Sequence, residues 1–201
     1  MTDVLQKSSK DDQPAPRRAG DKVLDAAETL FYAQGIRAVG VEEIVNVAGV
    51  GKPSLYRAFG SKEELIVAVL QRQEAGFWRR LEESVAACPN DPRAQLIHFF
   101  RGTAERSRLG GYRGCAHSNA AVEYPEEGLV RGEALGFKTR QRERFTQMAR
   151  DMGAADPQGL ADELLLLLEG VYVARQIHGP SGPAQRVGHA AETLIAARLG
   201  G

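Results

Sequence analysis

Between Lys52 and Lys62 stand side chains suited to one kind of chemistry, the reading of a charged groove. If Lys52 to Phe59 is helical, Leu55 and Phe59 fall inward at i, i+4, which leaves Lys52, Pro53, Ser54, Tyr56 and Arg57 outside. A short face that is small, hydroxyl-bearing, aromatic and basic fits the DNA major groove. Tyr56 is read as a phosphate contact, since the inner face is already taken by Leu55 and Phe59. Lys62 falls in the first turn of the following helix, where free amides and the dipole also favour an anion. Arg17 and Arg18 precede the first helix and can lie along a DNA backbone, although two solvated arginines would look the same.

Other reactive types lie further on. Cys115-x-His117, with His98 or Glu123, could hold a metal or pair a thiol with a base. That spacing matches no closed zinc pattern, and no base with an orienting partner can be picked out. No metal, no cofactor and no enzymatic activity are expected.

The groove-reading residues need a scaffold. Val41, Ile44, Val45 and Ala48 repeat at helical spacing; Gly49 stops that helix where the chain must turn, and Val50 can plug the gap before the next. The two segments make a helix-turn-helix with the second helix as reader. An earlier helix from about Gly20 to Gln34, capped by Gly35, completes a small core of Leu24, Leu30, Phe31, Ile44, Val47, Leu55 and Phe59. Such a core is marginal by size and should lean on the chain beyond residue 60. Ser61-Lys-Glu-Glu64 is a capping box that opens a long fourth helix through Leu65, Val69, Phe77 and Leu81 to about Ala87.

Beyond it, Asp91-Pro92 and Asp156-Pro157 are N-cap and N1 pairs. Helices are expected from Asp91 to Leu109, Cys115 to Tyr124, Glu127 to Met152, Asp156 to His178 and Ser181 to Leu199. The helix after Glu127 should be amphipathic, with Leu129, Leu135, Phe137, Phe145 and Met148 inward. The fold class is all-α, about nine helices with no convincing strand. Three units are expected: a disordered arm over 1–16, a helix-turn-helix head over 17–62 and a helical body over 63–201.

The chain has 201 residues, 43% hydrophobic and 26% charged, an ordinary globular composition. Its formal net charge is +0, so a nucleic-acid surface must come from local arrangement. Two cysteines do not make a disulfide framework, and no stretch is apolar enough to span a bilayer, so a cytoplasmic location is expected.

With Phe31, Gly35, Ile44, Ala48, Gly49, Val50, Leu55, Tyr56, Phe59, Lys62, Glu63, Glu64 and Leu65 in place, residues 20 to 70 resemble the TetR family of bacterial repressors. Gly114-Cys-x-x-x-Asn119-Ala-Ala-x-Glu123 also looks like one subgroup of such regulators. The resemblance implies a DNA-binding head, a double-stranded operator as partner, and a body that dimerises and binds a small effector which releases the operator. By that resemblance, Lys52, Pro53, Ser54, Tyr56 and Lys62 map onto positions that touch DNA, and Arg57 onto one that reads a base in some members. The family often has a hydroxyl residue where Gly40 and Gly51 stand; Gly51 can still offer its backbone amide to a phosphate.

The effector pocket implied for the family lies between the middle helices. Candidates for its wall are Phe77, Trp78, Phe99, Phe100, Tyr112, Cys115, His117, Asn119, Glu123, Tyr124, Phe137, Tyr172 and His178, a grouping suited to a small, largely apolar ligand. The penultimate helix, apolar nearly all round through Leu160, Leu164 to Leu168, Val171 and Val173, must be covered on several sides. With the last helix it makes a candidate homodimer face: Leu164, Leu167, Leu168, Val171, Ala191, Leu194 and Ile195.

Overall fold

The computed structural model describes residues 17–200. The expected disordered arm over 1–16 lies outside the described residues.

The head opens with α1 (Ala19–Gln34), α2 (Val41–Ala48) and α3 (Lys52–Phe59). Gly49 takes the left-handed conformation (φ 64°, ψ 38°) after α2, and Val50 closes the turn by donating to the Val45 carbonyl at 3.0 Å. Gly40 and Gly51 occupy the N-cap positions of α2 and α3 without side-chain caps. Phe31, Ile44 and Leu55 are buried, with Leu24, Leu30 and Phe59 packed at the edge. Val47 breaks the expectation: it is 60% exposed. At 100° per residue it sits well off the stripe made by Val41, Ile44, Val45 and Ala48, and Val45 fills the core in its place.

Ser61 caps α4 (Lys62–Ala87) by accepting from the Glu64 amide at 3.1 Å. Only half of the expected capping box forms, because the Ser61 amide donates instead to the Phe59 carbonyl at 2.7 Å. Leu65, Ile66, Val69 and Leu70 of α4 join the head's core, while Phe77 and Leu81 join the body's. Packing of the head thus runs past residue 62, as the small size of three helices requires.

The body comprises α5 (Pro92–Ser107), α6 (Ala116–Glu123), α7 (Leu129–Asp151), α8 (Pro157–His178) and α9 (Val187–Leu199). Asp91 and Asp156 cap α5 and α8 through the amides of Ala94 and Gly159, at 2.9 and 3.0 Å. The expected single helix from Ser181 is divided: Pro183–Arg186 is a tight 3-10 turn before α9 begins. Helix α5 packs on α4 and α9, and α7 on α4, α6 and α8. Edge-to-face rings of Phe77, Phe99, Phe100, Phe137 and Phe145 fill the centre. Leu129 and Leu135, expected inward on α7, are exposed.

The proposed dimer residues divide sharply. Leu164, Leu168, Val171, Ala191 and Ile195 are buried within their own chain, where α5 lies against α8 and α9 and takes up that side. Leu167 and Leu194 are only partly covered. The apolar side chains that α8 leaves outside are Leu166, Val173 and Ile177. Among the described residues no helix is long and apolar enough to cross a membrane.

Candidate nucleic-acid interface and body cavity

Helix α3 presents the expected face. Lys52, Pro53, Tyr56 and Arg57 are exposed, Ser54 is half-buried, and the only fully buried member of the helix is Leu55. The Tyr56 ring stands in solvent at 47% exposure rather than packed beneath the helix. Gly51 is exposed just before it, with its backbone extended. Lys52 forms an exposed ion pair with Glu42 of α2, which raises the pKa of its ammonium through that hydrogen bond. An exposed pair of this kind is readily exchanged for a phosphate.

The flanking cations are more committed than the sequence suggests. Lys62 turns inward: its Nζ donates to the Ile36 carbonyl at 2.9 Å and lies 5.9 Å from the centre of the Phe31 ring. Burial lowers its pKa below the usual lysine value. It ties the start of α4 to the α1–α2 connection, so a phosphate would have to share an ammonium already engaged there. Arg17 and Arg18 pair with Asp25 and Asp21 of α1 at 2.8 and 3.6 Å, and both remain largely exposed.

The body holds a partly open cavity of about 190 Å³ lined by residues of α1, α4, α5, α6, α7, α8 and the loop before α6. Of the expected wall, Phe77, Phe99, Tyr112, Cys115, His117, Phe137 and Tyr172 face it. The other six do not. Phe100 is buried core. Trp78 lies against the outside of the aromatic cluster with its Nε1 donating to Glu74 at 2.7 Å. His178 is exposed at the end of α8.

Asn119, Glu123 and Tyr124 fasten the body to the head instead. The Glu123 carboxylate accepts the Arg37 amide at 2.8 Å, and the Arg37 guanidinium lies over the Tyr124 ring and pairs with Glu126 at 3.2 Å. Asn119 holds the Arg113 carbonyl at 3.1 Å. Arg113 in turn donates to the Tyr32 and Ala33 carbonyls at the end of α1, at 3.1 and 2.7 Å.

Several lining residues escaped the sequence reading: Tyr32, Gln73, Arg80, Thr103, Arg106 and Leu109. Tyr32 belongs to the head. Its hydroxyl accepts from the Arg113 amide at 2.8 Å and donates to the Gly114 carbonyl at 3.2 Å, so α1 forms part of the cavity wall. Gly114 (φ +81°) passes so close to Tyr172 that a Cβ there would stand 2.7 Å from the tyrosine's own.

The polar groups of the wall are held in defined states. Burial pushes the phenols of Tyr32, Tyr112 and Tyr172 above the usual tyrosine value, so they stay protonated. His117 stacks on Phe137 with ring centres 4.0 Å apart; desolvation, helped by Lys138, lowers its pKa to about 4 and keeps it neutral. The Lys138 ammonium approaches the Cys115 thiol at 3.5 Å and pairs with Glu169.

The Cys115, His117, His98 and Glu123 grouping does not assemble. His98 is turned to Ser84 at 3.1 Å, and Glu123 is on Arg37. His117 has two carboxylate neighbours, Glu74 and Glu133, close enough to share an ion. Arg140 already occupies both, bidentate on Glu74 at 2.8 and 2.6 Å and 3.5 Å from Glu133.

The sequence profile of the bacterial regulatory proteins of the tetR family matches residues 23–69, which run from within α1 into α4. The transcriptional repressor KstR2 of Mycolicibacterium smegmatis is 42% identical over 203 residues, covering 94% of this chain and 92% of that protein. A second relative, the transcriptional activator FasR of the same species, is 49% identical over 59 residues; the match spans only 26% of its length. Among solved structures, SCO4454, a TetR-family transcriptional regulator of Streptomyces coelicolor, superposes with a TM-score of 0.85 at 27% identity, over 90% of this chain and 96% of that one. With the helix-turn-helix head, the all-helical body and a relative alike over nearly its full length, the chain belongs to the TetR family of bacterial regulatory proteins.

Proposed function

We propose that this DNA-binding transcriptional regulator is a homodimeric cytoplasmic repressor that a small effector in the body cavity releases from a palindromic operator. What carries the reading is that Tyr32, a residue of the DNA-binding head, is also a wall of the cavity. A ligand there touches the head directly, and the Arg113, Asn119 and Glu123 contacts transmit any shift of α6 to the end of α1 and the α1–α2 connection. In this reading Lys52, Pro53, Ser54, Tyr56 and Arg57 meet the groove, Gly51 offers an amide to phosphate, and Arg17, Arg18 and Lys62 support the backbone grip. The name of KstR2, a repressor alike over almost the whole chain, favours repression over activation.

The dimer face is reassigned from the buried side of α8 to its exposed apolar stripe. Leu166, Gly170, Val173 and Ile177 repeat at i, i+4, i+7 and i+11, beside a shallow groove that Leu167, Ala190 and Val187 help to line. Two such faces related by a two-fold axis would set the reader helices of the two heads one or more DNA turns apart.

Coupling between cavity and operator is reciprocal: an effector that weakens operator binding by a given factor is itself bound more weakly, by the same factor, on DNA. The test is fluorescence anisotropy on an operator selected from random oligonucleotides, with and without any compound that co-purifies with the protein. Release at stoichiometric ligand is expected. A compound that fills the cavity without changing operator affinity sinks the mechanism.

A further inference from the structure

Two arginines line the body cavity, and nothing in its wall answers their charge. Arg80 of α4 and Arg106 of α5 both reach it, and among the described residues no aspartate or glutamate lines it. The Arg80 Nε is buried without a hydrogen-bond partner. Arg106 donates to the Thr103 hydroxyl at 2.7 Å and lies over the Phe99 ring, 5.8 Å from its centre, again with no carboxylate. Among the described residues neither guanidinium takes part in an ion pair, whereas Arg72, Arg140, Arg142 and Arg198 each hold one. The phenols of Tyr112 and Tyr172 stay protonated and supply no counter-charge. Arginine does not escape by losing its proton, since its intrinsic pKa is far above neutrality. Arg80 raises the cost of the Arg106 charge, and the only carboxylate acting on either is the exposed Glu83, paired with Arg79 outside the wall. Two guanidiniums without an ion-pair partner are unfavourable in an empty site and become favourable once an anion joins them.

The remainder of the wall is apolar and aromatic: Phe77, Phe99, Phe137 and Leu109. A cavity of about 150 Å³ is known to hold a benzene ring, so the 190 Å³ here has room for a ring and one small polar group. We propose that the effector is a ring-bearing organic acid, its carboxylate held by Arg80 and Arg106 and its ring seated among Phe77, Phe99 and Phe137. The proposal rests on the effector reading of the cavity and assigns it a chemical class.

The test uses the full chain and a set of matched probes: benzoate, phenylacetate and 2-naphthoate, each against its primary amide. Calorimetry and thermal denaturation read binding, and operator anisotropy reads release. At least one acid should bind once per chain and raise Tm, with its amide ten-fold weaker or worse. R80M and R106M should each cut acid affinity at least ten-fold while the unliganded protein melts at the same temperature or higher, because a half-buried charge without an ion-pair partner has gone. If either Met variant fails to fold, R80K and R106K keep the charge and should retain the preference for acid over amide. Amides binding as well as acids, acid affinity unchanged in both arginine variants, or no acid binding at millimolar concentration would each overturn the assignment. An acid that binds through the arginines but leaves the operator bound would refute effector release and leave the acid site standing. Release by a neutral compound, with every acid inert, would do the reverse.

Discussion

In the proposed reading Arg57 and Lys62 would hold DNA in two different ways. Arg57 is exposed in the last turn of α3, and a bidentate contact to guanine is worth about 1–3 kcal/mol. Arg57→Ala should therefore relax preference at one base per half-site, read as a flattened affinity profile across a panel of single-base operator variants. Lys62→Ala should weaken every operator alike and also lower Tm, since its ammonium holds the Ile36 carbonyl as well. Identical profiles for the two variants would remove this division of labour. His117 makes a pH prediction. With its folded pKa near 4 and an unfolded value near 6.5, the unfolded chain binds more protons between those limits. Its contribution to stability is then whole above about pH 6.5 and falls by about 3 kcal/mol as pH drops towards 4. His117→Phe, which keeps the stack on Phe137, should flatten the fall in Tm over that window. The arginines show how single residues hide in a sequence. On α4 and α5, Arg80 and Arg106 look like solvated charge, although Arg80 follows Phe77 at i+3 and Arg106 follows Phe99 and Thr103 at i+7 and i+3. An arginine lying along an apolar stripe was the available signal.

Individual helices were legible where the chain punctuates them chemically. Asp91-Pro92, Asp156-Pro157 and Ser61 each start a helix, with the cap hydrogen bond in place. What could not be read was which side of a uniformly apolar helix meets its own chain. Leu164 and Leu166 are identical residues two positions apart, one buried and one 72% exposed, and the placement of α5, α7 and α9 around α8 decides between them. On α7 the surprise was of another kind: Leu129 and Leu135, both expected inward, are both exposed. Two glycines show how turn and packing differ in cost. Gly49 is left-handed with open space around it, so Gly49→Ala should cost only the conformational penalty, about 1–2 kcal/mol. Gly114 is left-handed and also against Tyr172, so Gly114→Ala adds overpacking of roughly another 1–3 kcal/mol. Chemical denaturation of the two variants should rank them in that order, and equal losses would mean that the loop before α6 yields freely.

At the scale of the molecule, the exposed stripe on α8 makes the clearest demand. Leu166→Glu or Ile177→Glu should give a folded monomer with weakened operator binding, measured by sedimentation and anisotropy. Leu164→Ala should instead destabilise the fold by about 2–5 kcal/mol, as a cavity in a packed core does. If the glutamate variants remain dimers, the interface lies elsewhere. That a long α4 would serve both cores could be expected from its length and the small size of the head, but not that α6 is tied to the α1–α2 connection. That last feature bears on how such a regulator can change over evolutionary time. Because Tyr32 belongs at once to the head and to the cavity, and Glu123 grips the Arg37 amide, the two halves are not interchangeable modules. A head grafted from a distant homologue would bring a foreign surface to α6, and under the proposed function such a hybrid should bind its operator yet respond weakly to a ligand in the cavity. In the proposed reading, a change of specificity in the sensing half would need a matching change in the half that reads DNA.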